Sequence, residues 1–306
     1  MKNKLKVVFL GDSITEAGVA PKGYVTLIKE ALKSRHADKE IEIVGAGISG
    51  HKVPDLQKRL ERDVLAHKPN LVVIYIGIND VWHSQSGKGT APDAFEAGLK
   101  EIIDRIHKTG SRVILCTPSM IGEKTDGSNP LDKMLEEYSE ISRRVASETA
   151  VTPLDLRKRF VNELKTLNGE NKASGILTSD GVHLNDAGNA FVKECLLPMV
   201  ESVLLGREVT HVVMFKFKAE VSAAEINRAC DAFAELPKKI PGISEFKAGT
   251  DISPENLAQG FTHCFVLKFP DLSARDAYLV HPAHQEFVQL VVPLVETPLV
   301  VDFWER

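Results

Sequence analysis

The 306 residues contain no run of about 18 consecutive apolar residues, so length excludes a membrane-spanning helix. Cysteine is scarce. Cys116, Cys195, Cys230 and Cys264 lie far apart, in neither the paired spacing of a disulfide framework nor that of a Cys-x-x-Cys metal site. That pattern fits a reducing compartment, and the expected location is the cytoplasm unless a leader peptide has been removed. The opening ten residues run from lysines into a short apolar stretch without a small-residue cleavage site, and they read as a first strand. Basic blocks are also missing. With a net charge of -4 and Lys and Arg spread along the chain, nothing is suited to neutralising a phosphate backbone, and no nucleic-acid partner is expected. Low-complexity tracts and a repeat period are absent too, which sets aside fibrous and solenoid architectures.

What is present is the composition of a folded protein: 43% hydrophobic and 26% charged residues, in a chain longer than one core usually organises. Two domains, residues 1–206 and 207–306, are therefore expected. Over the first, apolar runs at 5–10, 41–44, 71–76 and 112–117, with a weaker one near 151–156, alternate with helix-period segments at 24–35, 53–67, 91–108, 130–149 and 187–205. This is the pattern of a parallel sheet covered by helices on both faces, a three-layer α/β/α sandwich. After Gly206 the order changes to strand (210–218), helix (223–236), strand (243–250), strand (262–269), helix (273–280, then 283–295) and strand (299–304), which is a ferredoxin-like α+β order.

Polar residues gather where the first-domain strands end. Gly11-Asp12-Ser13 follows the first strand and precedes a helix, so Ser13 falls at the carboxyl edge of the sheet, where open α/β folds bind ligands. Near the domain's end, Asp180-Gly181-Val182-His183 brings a carboxylate and an imidazole within reach of one another. A buried aspartate there would fix the imidazole tautomer and leave the other nitrogen to take a hydroxyl proton. Asn79, in Ile76-Gly77-Ile78-Asn79-Asp80 at the third strand's end, can aim its amide across the same edge. Gly50, after the second strand, can offer a backbone N–H. Each motif alone has an ordinary reading as a cap, an Asx turn or a flexible loop. Together, each at a strand end, they carry the weight.

In this combination and order the chain resembles the SGNH (GDSL-like) hydrolase superfamily over almost all of residues 1–205. The resemblance implies Ser13 as nucleophile, His183 as base, Asp180 as its orienter, and an oxyanion hole built from the Ser13 N–H, Gly50 and Asn79. It implies acyl transfer through an acyl-enzyme, with no metal or organic cofactor, on a small-molecule ester of a small or carbohydrate-linked acyl group. Thioesterase or lysophospholipase activity is the alternative within that chemistry, and a non-catalytic assembly or ligand-binding protein the alternative outside it. Asp12, Trp82 and His83 are the candidates for the pocket wall.

The segment 210–218, the Phe261-Thr262-His263 strand start and Tyr278-Leu279-Val280-His281-Pro282-Ala283-His284 resemble the stress-responsive A/B barrel (Dabb) family, from about residue 208 to 306. That resemblance implies a homodimer in which two sheets form a barrel. A few plant members of that family use Tyr and His at the positions of Tyr278 and His284 for polyketide cyclisation, so His211, His263, Tyr278, His281 and His284 are candidates for a second-domain cleft. Ordinary hydrogen bonding within the fold is the plainer expectation for these histidines.

Overall fold

A computed structural model describes residues 4–304, and the chain divides into two compact units, Met1–Leu204 and Leu205–Arg306. The first is built on five parallel strands, β1 (Leu5–Gly11), β2 (Ile41–Gly47), β3 (Leu71–Tyr75), β4 (Arg112–Cys116) and β5 (Thr152–Leu154), in the order β2-β1-β3-β4-β5. Val7, Val8, Phe9 and Leu10 are all fully buried, and residues 71–75 nearly so. Successive side chains point to opposite faces, so both faces of the sheet are covered. This is why these strands read as unbroken apolar runs rather than alternating ones.

The covering helices are α1 (Ser13–Gly18), α2 (Tyr24–Arg35), α3 (Val53–Asp63), α4 (Ile78–Trp82), α5 (Pro92–His107), α6 (Asp132–Glu148), α7 (Leu156–Leu167) and α8 (Asp186–Leu205). Strand order reverses about β1: the chain leaves it for β2 on one side and returns to β3 on the other. The carboxyl ends of β1 and β3 therefore frame a crevice at the switch point of the sheet.

Several boundaries differ from expectation for local reasons. The helix expected over 53–67 ends at Asp63, and a separate 3-10 turn, Leu65–His67, follows. The third strand, expected over 71–76, ends at Tyr75, and residues 78–82, for which no element was expected, form α4 after Gly77 turns the chain at φ 121°, a conformation L side chains rarely adopt. The weak fifth strand is only Thr152–Leu154, since Asp155 caps a helix the sequence reading passed over, accepting from the Lys158 N–H at 2.9 Å.

The second unit carries β6 (Val209–Phe217), α9 (Ala223–Ala234), α10 (Leu236–Lys239), β7 (Glu245–Thr250), β8 (His263–Phe269), α11 (Leu272–Val280), α12 (Pro282–Val291) and β9 (Val295–Trp304). Its sheet is antiparallel in the order β7-β8-β6-β9, the ferredoxin-like arrangement. Phe233 is the hub of the core, with ring centroids 4.5 Å from both Phe265 and Phe287, which ties α9 and α12 to the sheet. Val212, Met214 and Val266 lie on the opposite face in register with Val301 and Leu299 of β9, and Val301, Leu299 and Phe303 stay 41–49% exposed. No helix among the described residues is long and apolar enough to cross a membrane.

Candidate active site

The turn after β1 is tight enough to dictate its first residue. A Cβ on Gly11 would sit 2.1 Å from Thr15 Oγ1 and 2.5 Å from the Tyr75 carbonyl, so only glycine lets α1 turn back this closely on the end of β1. Asp12 caps that helix, its Oδ1 accepting from the Ile14 N–H at 3.0 Å, and Ser13 is the first helical residue. Ser13 Oγ lies 3.0 Å from His183 Nε2, and His183 Nδ1 lies 2.7 Å from Asp180 Oδ2. The other Asp180 oxygen accepts from the backbone N–H groups of Val182 (2.9 Å) and His183 (2.7 Å).

This arrangement fixes proton positions. A carboxylate facing Nδ1 holds the proton there and leaves Nε2 as acceptor for the Ser13 hydroxyl. Burial alone would raise the Asp180 pKa, but the hydrogen bonds from the His183 ring and from the two backbone N–H groups outweigh it and hold the carboxyl below its ordinary value. The pair is open: the side chains of His183 and Asp180 are 37% and 49% exposed. Asp180 is thus not the buried aspartate expected, because it stands on a solvent-facing turn.

The Asn79 side chain is buried and donates from its amide to the His51 carbonyl at 3.1 Å, leaving its second N–H uncommitted to that bond. It thereby braces the loop that carries Gly50, which has a left-handed φ of 76°. Two residues missed in the sequence brace the same loop. Arg59, buried in α3, donates to the carbonyls of Gly11 (2.7 Å) and Ala46 (2.8 Å) and to His51 Nδ1 (3.1 Å), so it joins the ends of β1 and β2. Glu16 accepts from the Ser49 N–H at 2.9 Å. Arg59 had a signal, a charge between Leu56 and Leu60 on the apolar stripe of its helix. Glu16 had none.

Of the pocket candidates, Trp82 packs against His183, and His83 flanks the backbone of Gly50, its Cε1 4.0 Å from where a Cβ would be. Asp12 is no wall residue. Its role as a cap turns it inward, where it is 1% exposed with Oδ2 unpaired, and burial pushes its pKa up to about 7. Asp80 is similar: Oδ1 accepts from the Val53 N–H at 3.1 Å, Oδ2 has no hydrogen-bond partner among the described residues, and burial pushes the group up to about 6.

In the second unit the five candidates do not share one cleft. His211 and His284 both pack against the fully buried Tyr278, at ring-centroid distances of 5.7 and 4.3 Å, and His211 Nδ1 lies 2.6 Å from Asp302 Oδ1. Among the described residues the Tyr278 hydroxyl finds no hydrogen-bond partner. His263 is elsewhere, because β6 pairs Phe215 with His263 but His211 with Leu267, four residues along; its ring packs on Phe217. His281 caps α12, accepting from the Ala283 N–H at 3.2 Å. Among the described residues no group of three or more His, Cys, Asp or Glu side chains gathers as a metal site would.

Comparison with known proteins agrees with both units. Residues 9–191 match the GDSL-like Lipase/Acylhydrolase family and residues 209–305 the Stress Responsive A/B Barrel Domain. An acetylxylan esterase of Geobacillus stearothermophilus is 33% identical over 209 residues, 63% of this chain and 92% of that protein. The crystal structure of an acetyl xylan esterase, AlAXEase, aligns with a TM-score of 0.61 at 47% identity, covering 63% of this chain and 98% of that one. The stress-response A/B barrel domain-containing protein HS1 of Arabidopsis thaliana is 37% identical over 95 residues, 31% of this chain and 87% of that protein. The chain belongs to the GDSL-like lipase/acylhydrolase family, as an esterase that carries a stress-responsive A/B barrel domain after its hydrolase domain.

Proposed function

We propose that the first unit hydrolyses acetyl and other short acyl esters, including those borne on carbohydrate, through a Ser13 acyl-enzyme. The observation that carries this reading is the continuous chain Ser13 Oγ to His183 Nε2 (3.0 Å) and His183 Nδ1 to Asp180 Oδ2 (2.7 Å). Ser13 Oγ attacks the ester carbonyl carbon as its proton moves to His183 Nε2. The oxyanion takes hydrogen bonds from the Ser13 N–H, the Gly50 N–H and the Asn79 amide. The carbon–oxygen bond to the alcohol then breaks, and the alcohol leaves with the proton held on His183. Water, deprotonated by the same nitrogen, frees the acid and restores Ser13.

Two things support the acyl class. The two relatives named above that match the first unit are acetylxylan esterases. The half-exposed His183 and Asp180 leave the reacting edge open to an ester carried on a bulky alcohol. An acyl panel from acetyl to long-chain esters, with a thioester and a lysophospholipid alongside, tests this: turnover should peak at acetyl and vanish in Ser13→Ala, while a fluorophosphonate should label the parent at Ser13. Near-parent turnover by Ser13→Ala would overturn the reading.

The second unit, in the same proposal, pairs with a second copy through the helix-free face of its sheet. Val212, Met214, Val266, Leu299, Val301 and Phe303 form an apolar surface there that water would otherwise cover. Light scattering should give twice the mass of 33.6 kDa for the parent and the single mass for Val301→Asp. A parent that stays monomeric at micromolar concentration would refute the pairing.

A further inference from the structure

The segment bearing Asp180 and His183 has almost no regular structure. Between α7 and α8 it makes only the isolated bridge Thr178–Leu184. A segment without helix or strand would ordinarily be mobile, yet it must present an imidazole to Ser13 within a few tenths of an ångström. Within the segment the Ser179 N–H donates to the His183 carbonyl (2.8 Å) and the Asn185 N–H to the Leu177 carbonyl (3.1 Å), and what anchors this turn to the rest of the unit is a carboxylate from elsewhere in the chain. Glu123 is 0% exposed. Its Oε1 accepts from the N–H groups of Leu177 (2.7 Å) and Thr178 (2.6 Å) and from Thr178 Oγ1 (2.8 Å), and its Oε2 accepts from the Ile176 N–H (2.8 Å).

These contacts lead directly to the reacting residues. Thr178 Oγ1, while donating to Glu123, accepts from the Gly181 N–H at 3.0 Å, and the Gly122 N–H donates to the Gly181 carbonyl at 2.7 Å. Gly181 stands between Asp180 and Val182-His183, and a Cβ there would lie 3.4 Å from Gly122 Cα, so the two backbones are in close approach. Glu123 is itself pinned: its N–H donates to the Ala173 carbonyl at 3.0 Å, and its carbonyl accepts from Asn168 Nδ2 at 2.7 Å. Burying a carboxylate is costly unless every lone pair is used, and all four of these bonds go to three consecutive residues of one loop.

We propose that Glu123 is a positioning residue of the hydrolase: acting through Thr178 and Gly181, it sets the approach of the His183 imidazole to Ser13 without touching Ser13 or substrate. The inference rests on the reading in which Ser13 and His183 react. A displacement of about 1 Å in such a pair costs on the order of 100-fold in rate, while groups that bind the ester from the ends of β1 and β3 stay in place. The loss should therefore fall on kcat and spare KM.

The test measures kcat and KM on p-nitrophenyl acetate, and the rate of fluorophosphonate labelling of Ser13, for full-length parent, Ser13→Ala, Glu123→Gln, Thr178→Val and Thr178→Ser, each below its own unfolding temperature. Glu123→Gln turns one acceptor into a donor facing N–H groups, Thr178→Val removes the relaying hydroxyl, and Thr178→Ser keeps it. Glu123→Gln and Thr178→Val should lower kcat and labelling together by about 10- to 100-fold with KM within about twofold of the parent, and Thr178→Ser should return close to parent values. Folded variants with parent kcat and labelling, or a loss confined to KM, would overturn the inference; if Glu123→Gln does not fold, the Thr178 pair decides. Ser13→Ala as active as the parent would sink the underlying reading and this inference with it, whereas Ser13-dependent activity unchanged in the variants would sink this inference alone.

Discussion

Trp82 stands edge-on to His183, the two ring centroids 6.2 Å apart and their planes at 62°. Trp82 closes α4, three residues after Asn79, so the one short helix that follows β3 supplies both a buried amide and an aromatic wall for the imidazole. An edge-to-face contact of this kind is worth about 0.5–1.5 kcal/mol. Trp82→Ala should accordingly lower kcat on a short ester by about 3- to 10-fold, and Trp82→Phe by less. Steady-state assays of both variants check this, and equal rates for Ala and Trp would show that the ring does not support the histidine.

Asp180→Asn probes the tautomer. Asparagine can keep the Oδ1 bonds from the Val182 and His183 N–H groups but sets an NH2 against Nδ1. The imidazole then carries its proton on Nε2, facing Ser13, and cannot accept the hydroxyl proton. In a buried triad of this kind such a change costs about 10⁴ in kcat. Here Asp180 is half exposed and water can take over part of its task, so a fall of about 100- to 1,000-fold is expected, with little change in unfolding temperature. A loss under tenfold would show that the carboxylate does not control the tautomer.

Much of this arrangement was legible in the chain because the relevant residues punctuate strands that are buried on both faces. Residues 7–10 and 71–75 could only be interior strands, and their ends had to hold the crevice. The helix Tyr24–Arg35 stood out by its period. Leu156, Phe160 and Leu164, at four-residue spacing behind the Asp155 cap, carried an equal signal for α7, hidden by the apolar strand that runs into it. Glu123 was illegible for a different reason. Among Gly122, Lys124 and Thr125 it looks like one more solvated loop charge, and its burial depends on donors more than fifty residues later that have no periodicity of their own. The converse holds in the second unit, where five Tyr and His residues invited a single cleft: His211, Tyr278 and His284 do pack together, but the strand register carries His263 away from them and His281 turns to capping α12.

Asp12 gives the hydrolase unit a pH signature. Its folded-state pKa is raised from the ordinary 3.8 to about 7 by burial, so between those values the folded chain keeps a proton that the unfolded chain has lost. Its contribution to stability is full below 3.8 and is lost as pH climbs toward 7. Asp80, raised to about 6, acts in the same direction. Asp12→Asn keeps the cap on Ile14 and cannot ionise. Its unfolding temperature relative to the parent should therefore rise steadily from pH 4 to pH 7.5, as read by scanning fluorimetry. A difference that stays constant across that range would show that Asp12 does not hold its proton.

Tyr278→Phe removes a hydroxyl that is buried without a hydrogen-bond partner among the described residues. Leaving such a group unpaired costs about 1–3 kcal/mol, while the ring packing against Phe269, at 5.2 Å between centroids, is untouched. The variant should equal or exceed the parent in denaturation midpoint. A drop of more than about 1 kcal/mol would mean that the hydroxyl is bonded in solution.

The Ser13–His183 bond spans 170 residues, and the histidine lies beyond all five strands of its sheet. During synthesis the hydroxyl therefore emerges first, and the histidine follows roughly 10 to 35 s later at ordinary elongation rates. If the proposed mechanism holds, a ribosome-bound chain stalled before the Asp180-His183 turn is inert toward esters even with its sheet edge in place. On that mechanism, the last turn to leave the ribosome in this unit before α8 is the one that arms it.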